Sequence, residues 1–121
     1  QIMTESIIHT TDATFDRDIT EAGMPVMVDF WAPWCAPCRT MGKTLDQVAP
    51  DYRDKVRILK VNVDDNPEVA GRFGIQSIPT LLFYTAGEPI GQIPGALPLE
   101  ALREILDRHA EGKLGTGASR E

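Results

Sequence analysis

Cys35 and Cys38 stand in the run Trp34-Cys35-Ala36-Pro37-Cys38 and are the two cysteines of a 121-residue chain. Three uses of such a pair compete. A structural disulfide here would close a four-residue loop, which the chain-entropy expression values at about 2 kcal/mol, the low end of its range. A chain of this length buries enough surface to fold without that staple. Half of a zinc site would need two further ligands. There is no second Cys-x-x-Cys, and His9 and His109 stand alone near opposite ends of the chain, where each reads as a surface side chain. The third use is thiol–disulfide exchange, in which the thiolate is the attacking species.

Exchange needs one reachable, acidic sulfur and one shielded partner. The apolar run Pro25-Val-Met-Val-Asp-Phe-Trp31 reads as a strand buried on both faces. A helix follows from about Cys35 to Tyr52, with Cys38, Met41, Leu45, Val48 or Ala49, and Tyr52 in three- and four-residue steps. Cys35 then occupies the exposed head of a helix, where free N–H groups and the macrodipole favour a thiolate. Cys38 lies one turn deeper on the apolar stripe. Acidity alone achieves little. A drop of about 1.5 units from about 8.5 raises the thiolate fraction at pH 7 about sixteen-fold, but intrinsic nucleophilicity falls about five-fold. Access, orientation and a good leaving sulfur therefore weigh as much.

The other elements alternate in type. Ile7-Ile8-His9 is a short strand, and Asp12 is placed as the N-cap of a helix carrying Phe15, Ile19 and Ala22 and stopped by Gly23. Val56–Val63 is a strand, and Asn66-Pro67-Glu68 opens a short helix ending near Phe73-Gly74. Thr80–Thr85 and Pro89–Ile93 flank Ala86-Gly87-Glu88 as a hairpin, and a last amphipathic helix runs through Leu102, Ile105 and Leu106. This pattern is an α/β chain with a mixed sheet covered on both sides. Residues 1–110 form one domain, and residues 111–121 read as a frayed, flexible tail.

Composition excludes several classes. A hydrophobic fraction of 42% argues against disorder, and a net charge of −6 against nonspecific nucleic-acid binding. No apolar run reaches the roughly 18–20 residues of a membrane span. A secreted domain built on disulfides would carry four or more cysteines. No secretory signal is visible, which favours the cytoplasm, although a chain starting at Gln1 could have lost one.

Over about residues 6–110 the sequence resembles the thioredoxin family. The resemblance rests on Val28-Asp29-Phe30-Trp31-Ala32-Pro33-Trp34-Cys35-Ala36-Pro37-Cys38-Arg39, on Lys60-Val61-Asn62-Val63-Asp64, on Phe73-Gly74-Ile75-Gln76-Ser77-Ile78-Pro79-Thr80, and on Gly91 to Ala96. It implies a thioredoxin fold, a five-stranded mixed sheet flanked by four helices. It also implies a monomeric protein-disulfide reductase that binds no cofactor, acts on disulfide-containing proteins and is renewed by a reductase of the thioredoxin-reductase type.

By the same resemblance Cys35 attacks and Cys38 resolves. Asp29 is the buried acid that moves a proton to and from Cys38, and desolvation would raise its pKa toward neutrality; the plain alternative is a buried acid satisfied by Lys60 or water. Lys60 would sit beside Asp29 and temper it; the alternative is an edge charge in solvent. Pro79 would follow a cis bond facing Cys35, exposing backbone groups near Ile78 to which a substrate chain could add as a short strand. Trp34, Ala36, Pro37, Ser77, Ile78 and Gly95 complete the expected docking surface, and Trp31 is expected to pack beneath the loop. The chain departs from the family pattern at Ala36 and Ser77, where Gly is frequent, at Lys43, where a helix-kinking Pro is common, and at Pro33, which replaces a common acid. An oxidase or isomerase of an oxidising compartment, or a scaffold that uses the fold to hold a partner, are the rival readings.

Overall fold

The computed structural model describes residues 6–114. In chain order the elements are β1 (Ile7–His9), α1 (Phe15–Thr20), β2 (Val26–Trp31), α2 (Ala36–Val48), β3 (Arg57–Asn62), α3 (Pro67–Arg72), β4 (Thr80–Thr85), β5 (Glu88–Pro94) and α4 (Leu99–Ala110). A 3-10 turn, Ala49–Tyr52, extends α2. The five strands form one sheet in the order β1-β3-β2-β4-β5. β3 runs parallel to both β1 and β2, while β4 is antiparallel to β2 and to β5. The expected five-stranded mixed sheet with four helices is therefore the observed one.

β2 lies at the centre of the sheet, and residues Val26 to Phe30 are all buried. Its alternation sorts the core into two layers. Met27 faces Met41, Leu45, Val48, Leu102 and Leu106 of α2 and α4. Val26, Val28 and Phe30 face Phe15 and Ile19 of α1 and Val69 of α3. Asp29 follows Met27 by two residues and so points to the α2 side. Lys60 pairs with Asp29 across β2 and β3, and its own two-residue neighbour Ile58 packs in the same layer as Met27.

Local chemistry differs from the sequence expectation at three places. Asp12 does not cap α1, whose N-cap is Thr14 without a side-chain cap bond. It caps α3 instead: Oδ1 accepts from Val69 N–H at 2.9 Å and Oδ2 from Glu68 N–H at 3.2 Å. Asn66, at the cap position of α3, returns the link by accepting from Asp12 N–H at 2.9 Å. His109 is not a surface side chain. It is fully buried, its Nε2 lies 2.9 Å from the Val26 carbonyl, and its ring meets Phe83 edge-on at 5.2 Å.

The third place is the hairpin, which closes on Ala86-Gly87 alone, at φ 52° and 81°, so that Glu88 joins β5. Two left-handed residues in sequence match the twist of paired strands. β5 is an outer strand with proline at its second and last positions, Pro89 and Pro94. In the segment expected to be a tail, Lys113 N–H donates to the Arg108 carbonyl and Leu114 packs against the core. Residues 115–121 lie outside the described part.

Candidate active site

The buried strand β2 ends at Trp31, and four residues later α2 begins with its N-cap at Cys35. Pro37 occupies the first turn of α2, where its missing N–H costs nothing. The Cys35 backbone is extended (φ −91°, ψ 109°), which turns its side chain back over the helix end. Its Sγ accepts the N–H of Cys38 at 3.2 Å, so sulfur takes the place of the usual oxygen cap. Cys35 and Cys38 are joined as a disulfide with Cα atoms 5.2 Å apart.

The expected exposed start for Cys35 needs correction. Cys35 is 5% exposed and Cys38 1%. Ala32 packs with the two sulfurs, and Trp31, Val63 and Ile78 close around them. Cys35 is the more open of the pair by a small margin only, because this apolar collar seats the disulfide at the surface rather than above it.

Beside the cysteines the chain crosses a cis Ile78–Pro79 bond. The Ile78 carbonyl oxygen stands 3.8 Å from Cys35 Sγ. Ser77 is exposed, and its carbonyl accepts the Thr80 hydroxyl at 2.7 Å. Gly95, at φ 96°, donates its N–H to the Pro79 carbonyl at 2.8 Å, which brings the β5–α4 loop to the same spot. A side chain at Gly95 would be strained by that φ rather than by crowding, since a Cβ there meets nothing within 4 Å.

Among the described residues Trp34 is the large apolar side chain that stands out into solvent, 67% exposed. Its Nε1 donates to Asp64 Oδ2 at 3.0 Å. Trp34, Val63, Ala70, Ile75, Gln76, Ser77 and Ile78 line a cleft of about 190 Å³. Ala36 and Pro37 are exposed on the first turn of α2, and Lys43 is exposed within a helix unbroken from Ala36 to Val48.

Asp29 is fully buried, and neither carboxyl oxygen has a hydrogen-bond partner. Desolvation pushes its pKa up to about 7, against the pull of the Lys60 charge. Lys60 is half-buried in the interior strand β3, not on an edge. Its ammonium lies 4.6 Å from the Trp31 ring centroid, and a Cβ on Gly42 of α2 would come within 3.3 Å of it. An uncharged Asp29 at neutral pH is a proton donor, and an ionised one is a base, so this group can do acid–base work near pH 7.

The folded chain thus gathers Cys35, Cys38, Trp34, Ser77, Ile78, Pro79 and Gly95 at one end of the sheet, with Asp29 and Lys60 beneath the α2 side. Sequence reading placed Asp64 and Arg39 within the family-like segments but gave neither a role. Asp64 lies thirty residues from Trp34 and two past the end of β3, so nothing local links it to the tryptophan. Arg39 Nη1 donates to the Pro33 carbonyl at 2.8 Å and braces the loop before Cys35. Gly42 was missed, because room for an ammonium leaves no trace in a hydrophobicity pattern.

Among the described residues no group of three or more His, Cys, Asp or Glu side chains is placed to hold a metal, and no helix is long and apolar enough to cross a membrane. The sequence profile of thioredoxin matches residues 6–108. Thioredoxin 1 of Synechococcus elongatus is 48% identical over 99 residues, 82% of this chain and 92% of that protein. The thioredoxin of Pyropia yezoensis is 41% identical over 104 residues, 86% and 97%. That of Haemophilus influenzae is 41% identical over 103 residues, 85% and 96%. With a redox disulfide set at a helix head on this sheet, and relatives aligned over 92% to 97% of their own length, the chain belongs to the thioredoxin family and is a disulfide oxidoreductase acting by thiol–disulfide exchange.

Proposed function

We propose that the reduced protein attacks disulfides of other proteins through Cys35 and resolves through Cys38. The observation that supports this division is the N-cap bond. Cys35 Sγ receives the Cys38 N–H at the positive end of α2, where negative charge on sulfur is stabilised. Cys38 faces the buried stripe and is the more shielded sulfur.

The Cys35 thiolate bonds to one sulfur of the target, the target S–S bond breaks, and the departing thiolate takes a proton from solvent. Cys38 then gives its proton to the Asp29 carboxylate and attacks Cys35 Sγ. The mixed disulfide breaks and the second target thiolate leaves. The target has gained two electrons, and Cys35–Cys38 has become a disulfide. A burial-raised carboxyl near neutrality suits this proton transfer in both directions. Lys60 limits how far burial can raise it. Trp34, Ala36, Pro37, Ser77, Ile78 and Gly95 form the docking surface around the sulfurs, and the backbone of Ile78 pairs with an extended target chain.

Return to the dithiol requires two electrons from a reductase of the thioredoxin-reductase type. Such a supply belongs to a reducing compartment, and the cytoplasm is the one proposed. The test is trapping with insulin. Cys38→Ser should accumulate a mixed disulfide through Cys35, and Cys35→Ser should form none. Adducts through Cys38 in the Cys35→Ser variant would reverse the assignment.

A further inference from the structure

The helix that carries the cysteines and the loop that carries Gly95 are joined by a thioether. Met41 follows Cys38 by three residues on α2 and is 1% exposed. Its Sδ accepts the N–H of Leu97 at 3.4 Å. Leu97 lies in the segment between β5 and α4, and its side chain packs against the cluster that contains Met41. At its other end the segment is held by the Gly95 N–H on the Pro79 carbonyl, 2.8 Å. Gly95 and Ala96 are exposed, and Gly95 is bonded to the turn whose Ile78 carbonyl stands 3.8 Å from Cys35 Sγ.

Sulfur is a weak acceptor, so a single N–H···S bond contributes little to overall stability. Its effect on a short exposed loop is different. A loop fixed at both ends meets an incoming chain without first losing conformational freedom, and that loss is subtracted directly from binding. A small disulfide that touches only the sulfurs would not feel the difference.

We propose that Met41 is a positioning residue for protein substrates: its thioether clips the loop of residues 95–97 to α2, so that the loop is already ordered when a target chain docks. This rests on the reading of Gly95 as part of the docking surface. Met41 itself touches neither substrate nor the reacting atoms.

Met41→Leu conserves volume and apolarity but removes the acceptor. Three quantities are measured on the folded variant. Leu97 amide exchange, read by NMR, should quicken about ten-fold or more once its acceptor is lost. The rate at which the reduced protein reacts with insulin should fall about three- to ten-fold. The rate with bis(2-hydroxyethyl) disulfide and the redox potential against glutathione should both stay at the wild-type values. Unchanged Leu97 exchange overturns the clip. Faster exchange with an unchanged insulin rate overturns the docking role of the loop, and the proposal with it. Equal losses with both substrates, or a shifted potential, would mean that Met41 acts on the cysteines instead and would equally overturn it. None of these outcomes bears on which cysteine attacks, which the trapping experiment decides separately.

Discussion

Asp29 and Lys60 are partners across the parallel β2–β3 pairing, yet neither Asp29 oxygen accepts a hydrogen bond. The Lys60 ammonium lies instead over the Trp31 ring, against the bare backbone of Gly42. The lysine therefore acts on the acid as a nearby charge, not as a bonded partner. That arrangement leaves the carboxyl open to gain and lose a proton without breaking a contact.

Lys60→Met should raise the Asp29 pKa above about 7, because the charge that opposes desolvation is removed. A carbon-13 titration of the Asp29 carboxyl reads the shift directly. In the same variant the pH at which the resolving step reaches half its maximum should move upward. An unmoved titration would show that Lys60 is too well screened to matter.

Replacing Asp29 should stabilise the fold while slowing its chemistry. An acid whose folded pKa exceeds its unfolded value favours folding fully below about 3.8, and that contribution is lost as pH rises toward about 7. Above pH 7 the buried charge then costs on the order of 4 kcal/mol relative to low pH. Thermal melts of the oxidised protein should show Asp29→Ala gaining on the wild type from pH 4 to pH 8. Single-turnover resolution at neutral pH should slow in that variant. Parallel melting curves for the two proteins across that range would refute the assignment of a costly buried charge.

Burial holds His109 below the usual histidine range, with carbonyl contacts from Val26 and Tyr84 pulling the other way. A group depressed in this way is neutral in the fold, so its contribution is complete above about 6.5 and declines as pH falls below it. Measured against His109→Leu, the wild type should lose urea midpoint as pH falls from 7 to 5, the opposing Asp29 trend being common to both proteins. His109→Leu lacks this pH-linked loss. It also gives up the contact with the Val26 carbonyl.

Asp12→Ala should destabilise the protein by about 1–2 kcal/mol, the range of a lost helix cap, since two N–H groups of α3 lose their acceptor. Urea denaturation measures it. Asp12→Asn, which keeps one side-chain oxygen, should recover part of the loss. A helix-α1 cap, the role suggested by sequence, would leave the amide exchange of Glu68 and Val69 untouched.

The parts read correctly from the sequence are those whose signal is local. The nearly continuous apolar run before Trp31, interrupted by Asp29, marked β2, and the three- and four-residue steps from Cys38 to Tyr52 marked one helix, whose last turn, Ala49–Tyr52, is 3-10 in the structure. Cys-x-x-Cys at a strand-to-helix junction pointed to exchange without any help from tertiary structure. What escaped was set by neighbours far apart in the chain. Asp12 looked like the cap of the helix that follows it, and serves one more than fifty residues away. His109 follows Asp107 and Arg108 on an amphipathic helix, and the packing of α4 against Phe83 and Val26 buries it. Cys35 was judged by its position at a helix head, and the collar of Trp31, Val63 and Ile78 comes from three separate segments.

The prolines of β5 carry a consequence for crowding among copies of the chain. Two of the seven residues on that outer strand have no N–H to offer, so a neighbouring molecule lining up there could not complete a continuous ladder. Sheet-to-sheet zipping along this rim is thereby discouraged, and Pro94 sets one of the two gaps opposite Thr80, next to Gly95 and the Ile78–Pro79 turn.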